Sequence, residues 1–214
     1  MFRKIKEKFG KPPILLLSNF FDSLPFLKIR IAKLYWVDCD FARMDFPNPD
    51  IPGILREGQP DDLEAMVRCN PKREKFMERF DRGDRVMLAV ADSGEVMGYT
   101  WFSVQPQIVE NLYNIIVSLP PDAGYLYDTF VNPKFRKKGL WLALRVEVAK
   151  VLKAEGRRRY GGIIVLGNKR SFALNFKFGF RVNKEYLVFK WGKRSRVFEK
   201  EIPHTKELAA RLTR

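Results

Sequence analysis

The spacing of apolar and polar residues along the chain predicts a series of strands and helices. Apolar residues recur at helical spacing over residues 140–155, and shorter helices are predicted from residue 59, from residue 71 and over 171–178. The tail at 205–214 is interpreted as a short helix or a frayed end. Short apolar runs bounded by turn residues predict strands at 54–57, 86–90, 96–104, 125–131, 161–166, 182–191 and 197–202. A strand and then a helix therefore open the core.

Prolines mark the edges of the predicted core. Three prolines between residues 47 and 52 separate residues 1–50, interpreted as an N-terminal extension, from the elements that follow. Prolines also bound a long polar connection over residues 105–124. We interpret this connection as a lid or substrate loop.

The most apolar stretch lies within the extension, at residues 14–27. It has 14 residues and contains Asp22 and Pro25, whereas a helix that spans a bilayer needs about 20 residues. No small-residue cleavage site of a signal peptide follows it. We therefore expect a buried or surface-docked extension, and the basic residues around it leave contact with a membrane surface open.

The chain of 214 residues is strongly basic, with 40 Lys and Arg against 25 Asp and Glu, a net charge of +15 and a pI near 9.9. The charge is local, since residues 134–160 hold ten bases and two acids, while residues 38–64 hold eight acids and two bases. A negatively charged partner or ligand is expected, which leaves nucleic acid, anionic lipid, a phosphorylated cofactor and an acidic carrier protein.

Cysteine and histidine usage excludes several kinds of site. Cys39 and Cys69 are 30 residues apart and form no CxxC pair, so neither a thiolate zinc cluster nor a disulfide framework is predicted. His204 is the sole histidine, which excludes an HExxH helix and disfavours a triad built on histidine. No metal is expected, and a reducing cytoplasm is the expected compartment.

The stretch from Val131 to Trp141 joins a strand to the start of the long helix through a basic turn. Free amides and the dipole at a helix N-terminus bind anionic oxygen, and Gly139 lets the backbone approach a ligand closely. Arg136, Lys137 and Lys138 add positive charge. A diphosphate would fit there; the alternative is a solvated basic turn.

This arrangement resembles the GCN5-related N-acetyltransferase family. The family's acyl-CoA motif, V-x-P followed by Q/R-x-x-G-x-G/A, is similar to V-N-P at 131–133 and R-K-K-G at 136–139. Downstream, N-K-R-S at 168–171 and K-F-G-F at 177–180 look like the family's N-x-x-S/A and K-x-G-F signatures. The resemblance covers roughly residues 54–191 in the right order.

The resemblance implies an α/β (α+β) fold, with a mixed, mostly antiparallel sheet that is splayed between its fourth and fifth strands and flanked by helices. Residues 51–202 would form the acyltransferase domain. Residues 1–50 would form an extension, basic and then acidic, and residues 203–214 a C-terminal tail.

The resemblance also implies acetyl-CoA or another acyl-CoA as cofactor. Backbone groups of Phe130 and Val131 would pair with pantetheine, and Asn168 and Ser171 belong to the downstream signature. The pyrophosphate would be bound by the amides of Arg136, Lys137, Lys138, Gly139, Leu140 and Trp141. Trp141 stands where the family has Gly or Ala, so its side chain must point away from the diphosphate.

The expected reaction is direct attack of a neutral amine on the thioester, helped by proximity and by polarisation of the carbonyl. Asp128 and Tyr125, with Tyr127 beside them, are the candidates for the base. Asn175 stands where family members often have a tyrosine acid, and it would at most donate a hydrogen bond to the thiolate.

Three readings of the function stay open at this point. The first is an enzyme that acylates the primary amine of a small molecule from acyl-CoA. The second replaces CoA with acyl carrier protein, which the basic surface would attract. The third is a catalytically silent module that binds nucleic acid or an anionic membrane surface.

Overall fold

The computed structural model of the chain describes residues 14–17, 29–44, 50–110 and 112–213. Within them lie ten strands: β1 (Ile29–Asp40), β2 (Ile54–Gly58), β3 (Arg85–Val90), β4 (Val96–Ser103), β5 (Gln107–Glu110), β6 (Ile115–Ser118), β7 (Ala123–Val131), β8 (Arg159–Val165), β9 (Arg181–Trp191) and β10 (Arg194–Glu201). The helices are α1 (Leu63–Cys69), α2 (Arg73–Asp81), α3 (Leu140–Ala154), α4 (Lys169–Lys177) and α5 (Lys206–Thr213). The predicted mixed α/β fold with a mostly antiparallel sheet is confirmed.

The chain divides into two compact units. The first unit comprises Met1–Asp38, Val109–Val117 and Ile163–Arg214, and the second comprises Cys39–Ile108 and Ser118–Gly162. The predicted boundary between extension and core falls partly on residues 45–49, and most of the apolar stretch falls on 18–28; both lie outside the described residues. The domain limits at 50 and 202 stay predictions.

In the second unit, β2, β3, β4 and β7 pair in that order, and each pair is antiparallel. β7 then pairs with β8 in parallel, with Ala123 opposite Arg159 and Tyr125 opposite Gly161. This register covers only the first third of β7. Its early end agrees with the divergence that the resemblance implies between the fourth and fifth strands.

Helices close the core of the second unit. Met66 of α1 and Phe76 of α2 are fully buried in one cluster with Leu88 of β3 and Trp101 of β4. The predicted long helix is observed as α3, which begins at Leu140 and buries an apolar stripe. Apolar residues at helical spacing place this stripe on one face because a helix turns once in about 3.6 residues.

In the first unit, β9 pairs antiparallel with β1 and with β10. β1 lies inside the predicted extension, where the sequence analysis assigned no strand. Most of its residues are buried, with no strict alternation between faces. A strand that is buried on both faces lacks the alternating pattern on which strand prediction depends, so the sequence analysis overlooked it.

Residues 105–124 contain two strands that were not predicted from the sequence, and their interpretation as a lid or substrate loop stays a prediction. The strands are β5 and β6, which form a two-stranded sheet of their own. Ile115 and Val117 are buried and alternate with exposed neighbours, which is the strand period of two. In the first unit, the tip of this hairpin is held by Asn114 Nδ2, which donates to the carbonyl oxygen of Lys193 at 2.9 Å.

Among the helices that the structure describes, none is long and apolar enough to cross a membrane. The tail forms a short helix, α5.

Candidate functional site

A β-bulge interrupts β7 at Asp128. Tyr99 of β4 lies opposite Phe130, and Trp101 lies opposite Tyr127, so β7 carries one residue more than β4 between these pairs. Asp128 takes up the extra length with a φ of 43°. This left-handed conformation costs a residue with a Cβ about 1 kcal/mol. Bulges change the direction in which side chains leave a strand.

The bulge directs two consecutive side chains to the same guanidinium. In a regular strand, Tyr127 and Asp128 would point to opposite faces. Here Nη1 of Arg79 in α2 donates to Oδ2 of Asp128 at 2.6 Å, and the guanidinium lies 5.0 Å from the centroid of the Tyr127 ring. Nζ of Lys72, just before α2, lies 3.3 Å from Oδ1 of Asp128. Asp128 is thus a half-buried carboxylate held by two cations.

Tyr127 is a protonated phenol in this arrangement. Its hydroxyl donates to Oδ2 of Asp84 at 2.6 Å, and Arg82 donates to the same oxygen at 2.6 Å. Burial, and next the charge of Asp84, raise the pKa of Tyr127 far above its usual 10. Tyr127 therefore keeps its proton at neutral pH and donates it in the hydrogen bond to Asp84, and its assignment as a base stays a prediction. We refer to the group below as the Asp128 cluster: Lys72, Arg79, Arg82, Asp84, Tyr127 and Asp128.

Aromatic side chains line the buried side of the Asp128 cluster. The guanidinium of Arg79 lies 5.2 Å from the ring centroid of Trp101, which is fully buried. Tyr99 stacks on Phe130 with ring centroids 5.7 Å apart, and its hydroxyl accepts from Nδ2 of Asn70 at 2.7 Å. These rings keep water away from one side of the cluster, which strengthens its charge interactions.

Tyr125, the second candidate base, is buried in the sheet. Its ring stacks on that of Tyr127, with centroids 5.5 Å apart. The two rings lie on the same face of β7, as residues two positions apart in a strand do. Tyr125 therefore packs against the ring of Tyr127. Its assignment as a base stays a prediction.

The turn between β7 and α3 leaves several backbone amides without an acceptor. Lys137 and Gly139 have positive φ values, 68° and 72°, and α3 begins after Gly139 with no side-chain cap. The amides of Lys137, Gly139 and Leu140 donate to no other backbone group in the part of the chain that the structure describes. Consecutive amides in such a turn form a concave anion-binding site at the positive end of the helix dipole.

Basic side chains flank these amides. Lys134 and Lys138 hold their ammonium groups over the Phe135 ring, 5.0 and 5.8 Å from its centroid. Arg136 folds back on the strand, and its Nε donates to the carbonyl oxygen of Val131 at 3.2 Å. The predicted cations therefore surround the turn, and Arg136 also caps the end of β7.

Trp141 packs along the side of α3. Its ring lies against the guanidinium of Arg145, one helical turn further on, at 4.6 Å from the ring centroid. Residues four apart on a helix lie on the same face, which makes this contact possible. The bulk of Trp141 is thus accommodated on the side of the helix, as the departure from the family motif requires.

The second half of β7 offers a strand edge. The register with β8 ends at Tyr125, and residues 127–131 are half-buried, unlike the buried residues before them. Phe130 and Val131 pair with β4 on one side, and no other described strand pairs with them. The strand that carries Asp128 thus also leads, within ten residues, to the unpaired amides of the turn.

The three remaining predicted site residues lie on α4 or just before it, in the first unit. Oδ1 of Asn168 accepts from the amide of Ser171 at 3.2 Å and caps the helix. Asn175 is buried, and its Nδ2 donates to the carbonyl oxygen of Ser171 at 2.8 Å. These contacts stabilise the first turns of α4, and the assignments of these residues to cofactor and thiolate stay predictions.

Sequence reasoning missed the residues that hold Asp128. Lys72, Phe76 and Arg79 follow each other at spacings of four and three, which places all three on one helical face. A helix was predicted from residue 71, and the bases on it were given no role. Bases on the apolar face of a helix were the signal that would have found them.

The described residues include no group of three or more His, Cys, Asp and Glu side chains that could hold a metal ion. Both cysteines are buried, and within the described residues neither forms a disulfide bond. Burial raises the pKa of Cys69 to about 11, so this cysteine is a thiol at neutral pH.

Solved structures resemble the fold. A tandem GNAT protein from the clavulanic acid biosynthesis pathway aligns with a TM-score of 0.55 at 17% identity, over 80% of this chain and 54% of that one. A GNAT-family protein from Novosphingobium aromaticivorans aligns with 0.55 at 16% identity, over 77% and 68%. A GCN5-related N-acetyltransferase from Sphaerobacter thermophilus aligns with 0.50 at 17%, over 86% and 56%. The chain thus spans just over half the length of the first and third.

No curated protein matches the sequence. The family model described as the acetyltransferase (GNAT) family matches residues 53–180, which is more than half of the chain. This match contains both the bulge at Asp128 and the turn at Gly139. The chain therefore belongs to the acetyltransferase (GNAT) family.

Proposed function

We propose that the protein is an N-acyltransferase that moves an acetyl or other acyl group from acyl-CoA to the primary amine of a small molecule. The observation that carries this proposal is the turn at residues 137–140, where the amides of Lys137, Gly139 and Leu140 have no backbone acceptor among the described residues. They follow the strand that presents Asp128, so an anion site and a carboxylate site share one element. Membership of an acetyltransferase family supports the same reaction class.

The turn fits the diphosphate of CoA. Gly139 has no side chain to exclude a phosphate, and its φ of 72° aims successive amides to one side. Residues 137 and 138 add positive charge. Phe130 and Val131, on the half-buried edge of β7, would orient the pantetheine arm. Acyl-CoA, when bound, supplies the activated thioester.

The Asp128 cluster suits the amine side of the reaction. A primary amine is mostly protonated at neutral pH and must lose a proton before it can attack. In our proposal Asp128 attracts the ammonium group and takes up its proton, directly or through water. Asp128 contacts Lys72 at 3.3 Å and Arg79 at 2.6 Å. Because the contact with Lys72 is the longer one, the ammonium group of the substrate would displace Lys72 from Asp128.

Calorimetric titration of the purified protein tests the cofactor half of the proposal. The ligands are acetyl-CoA and, separately, CoA that lacks its 3′-phosphate. We expect micromolar binding of acetyl-CoA, and a difference between the two ligands if Lys169 and Arg170 contact the 3′-phosphate. Thiol release from acetyl-CoA with a panel of small amines then tests transfer.

Two results would overturn the proposal. Absence of binding to either ligand, with turnover from acyl carrier protein that falls steeply with salt, would identify the carrier protein as the donor. Binding of acetyl-CoA without turnover of any amine, together with salt-dependent binding of duplex DNA, would indicate a catalytically silent module.

A further inference from the structure

The β9–β10 hairpin carries the exposed aromatic side chains of the described residues. Trp191 is 74% exposed, Phe198 53% and Phe189 41%. The other large hydrophobic side chains of comparable exposure within the described ranges are aliphatic or methionine. Contiguous exposed apolar groups of this kind mark interaction surfaces.

The strand register places these rings on one face together with two arginines. Arg194 lies opposite Trp191, and Arg196 lies opposite Phe189. Directly opposite residues of an antiparallel pair share a face, and so do residues two apart on one strand, which adds Phe198. We call these five residues the hairpin face.

The rings and guanidinium groups of the hairpin face contact one another. Phe189 and Phe198 meet edge to face, with centroids 6.2 Å apart. The guanidinium of Arg196 lies 5.8 Å from the Phe198 centroid. The face is therefore a continuous surface that is both apolar and cationic.

The positive charge of the hairpin face is not neutralised within the described part of the chain. Neither Arg194 nor Arg196 forms an ion pair there, and both are exposed. Glu185 lies further along the same face, and its carboxylate is bound to Lys33 at 2.8 Å. Arg194 and Arg196 are thus available to an external anion.

The turn of the hairpin brings Trp191 to its tip. Trp191 pairs with Arg194, so Gly192 and Lys193 form a two-residue turn. Gly192 has a φ of 58°, which such a turn requires and which glycine adopts without strain. Lys193 adds one more cation beside the indole.

We propose that the hairpin face docks on an anionic lipid bilayer. Trp191 and Phe198 would enter the headgroup region, where an aromatic ring with a polar edge is favoured. Arg194 and Arg196 would bind lipid phosphates, and each basic residue near an anionic surface contributes about fivefold to the binding constant. The net charge of +15 favours approach to such a surface.

A second copy of the chain fits the hairpin face less well. β10 is paired on one side by β9, so its free edge could in principle pair with β10 of another copy. In antiparallel pairing across that edge, residues of the same face oppose one another. The charged residues of β10 on this face are Arg194, Arg196 and Lys200, so like charges would meet.

Single-stranded nucleic acid is also less favoured. Proteins bind it by stacking bases on open aromatic faces. The face of the Phe198 ring carries Arg196, and Phe189 is in edge contact with the same ring. Of the three rings on the hairpin face, only that of Trp191 has an open face for stacking. Entry into a headgroup region requires exposed apolar area but does not require an open ring face.

Vesicle binding by the full chain tests the proposal. Vesicles of phosphatidylcholine with and without phosphatidylserine are sedimented with wild type, with Trp191→Ala/Phe198→Ala and with Arg194→Ala/Arg196→Ala. We expect binding only to vesicles with phosphatidylserine, about 30-fold weaker for the arginine pair. Lys75→Ala/Lys206→Ala removes the same charge from exposed positions outside the hairpin and should change binding less than threefold.

Several results would overturn the proposal. The proposal is wrong if the protein binds both vesicle types equally or binds neither. It is also wrong if Arg194→Ala/Arg196→Ala and Lys75→Ala/Lys206→Ala lose the same vesicle affinity. Competition by free glycerophosphoserine alone would indicate headgroup binding without a bilayer. A dimer that dissociates in Trp191→Ala/Phe198→Ala would identify a second copy, and loss of oligonucleotide binding in that variant would identify nucleic acid. Thermal unfolding at the wild-type temperature shows that each variant is folded.

Discussion

Arg79 and Asp128 form an ion pair of 2.6 Å between α2 and the bulge of β7, although they are 49 positions apart in the sequence. The side chain of Arg79 is 13% exposed and that of Asp128 is 21% exposed. Charges so far from bulk water depend on each other, because removal of one leaves the other without compensation. The pair therefore fixes the position of the carboxylate from which catalysis is proposed to proceed.

Removal of either partner should lower the free energy of unfolding, and removal of both should cost less than the sum. For Arg79→Met we expect a loss of about 2 kcal/mol, less than for a fully buried pair because Asp128 keeps Lys72 and some solvent. Asp128→Asn should cost about 1 kcal/mol. Urea unfolding of the two single variants and the double variant measures the coupling.

An exposed pair gives the matched control for this cycle. Lys184 and Glu199 lie 2.6 Å apart with side chains 37% and 48% exposed, so their coupling should be below about 1 kcal/mol. If the losses at Arg79 and Asp128 simply add, the two residues do not stabilise one another.

Asp128→Asn should impair turnover while acetyl-CoA still binds. Asparagine has the size of aspartate and tolerates a positive φ, so the bulge should persist. An amide cannot take up the proton of the amine, and loss of a general base lowers kcat about 100-fold or more. Single-turnover and steady-state rates with the best amine of the panel measure the effect.

A second carboxylate serves as the control for Asp128→Asn. Asp122 is also in an ion pair, with Arg159 at 3.1 Å, and lies before β7 rather than at the bulge. Asp122→Asn should leave kcat within about twofold because it removes no group from the proposed site. An unchanged kcat in Asp128→Asn would exclude Asp128 as the base.

Local features of the site were accessible from the sequence, and long-range ones were not. Gly139 and the helix after it were predicted because a turn and a helix N-terminus are determined by neighbouring residues. The pair of Arg79 and Asp128 joins segments 49 residues apart, and the bulge that aims Asp128 is a property of two strands together. The sequence of one strand alone does not show that it carries one residue more than the strand with which it pairs.

The fold shows the same division. The predicted and observed C-terminal ends of α3 differ by one residue. When one face of a helix is buried against a sheet, its apolar residues recur in the sequence with a clear helical period. β1 was missed because burial on both faces removes that period, and the hairpin of β5 and β6 was hidden in a polar, proline-rich context. Ile115 and Val117 of this hairpin were recognisable in the sequence as apolar residues. The alternation of buried and exposed residues around them extends over only four positions.

Stability should fall at alkaline pH through the buried tyrosines, and Tyr127 should account for part of the slope. Its pKa is raised in the folded protein by burial and by Asp84, and it lies near 10 in the unfolded chain. Above pH 10 the unfolded chain releases this proton and the folded protein keeps it. The free energy of unfolding therefore falls as pH rises, by about 1.4 kcal/mol per pH unit for one such group.

Tyr127→Phe isolates this contribution. At neutral pH the variant should lose about 1 kcal/mol, since the hydrogen bond to Asp84 is gone and Arg82 still holds that carboxylate. Above pH 10 its stability should fall less steeply than that of the wild type. Tyr160, whose pKa burial raises to about 12, remains in the variant and keeps a residual slope. Parallel pH curves would show that Tyr127 is ionised in the folded protein.

Gly139→Glu should abolish acetyl-CoA binding without unfolding the protein. The new carboxylate would lie beside the amides of residues 137–140, where it repels a diphosphate, and the left-handed φ of 72° costs a residue with a Cβ about 1 kcal/mol. Gly139→Gln has the size and the backbone cost of Gly139→Glu but no charge, so it should bind acetyl-CoA far better than Gly139→Glu. Calorimetry with thermal unfolding separates binding from stability. Equal affinities for the two variants would place the diphosphate elsewhere, because only the charge at the turn distinguishes them.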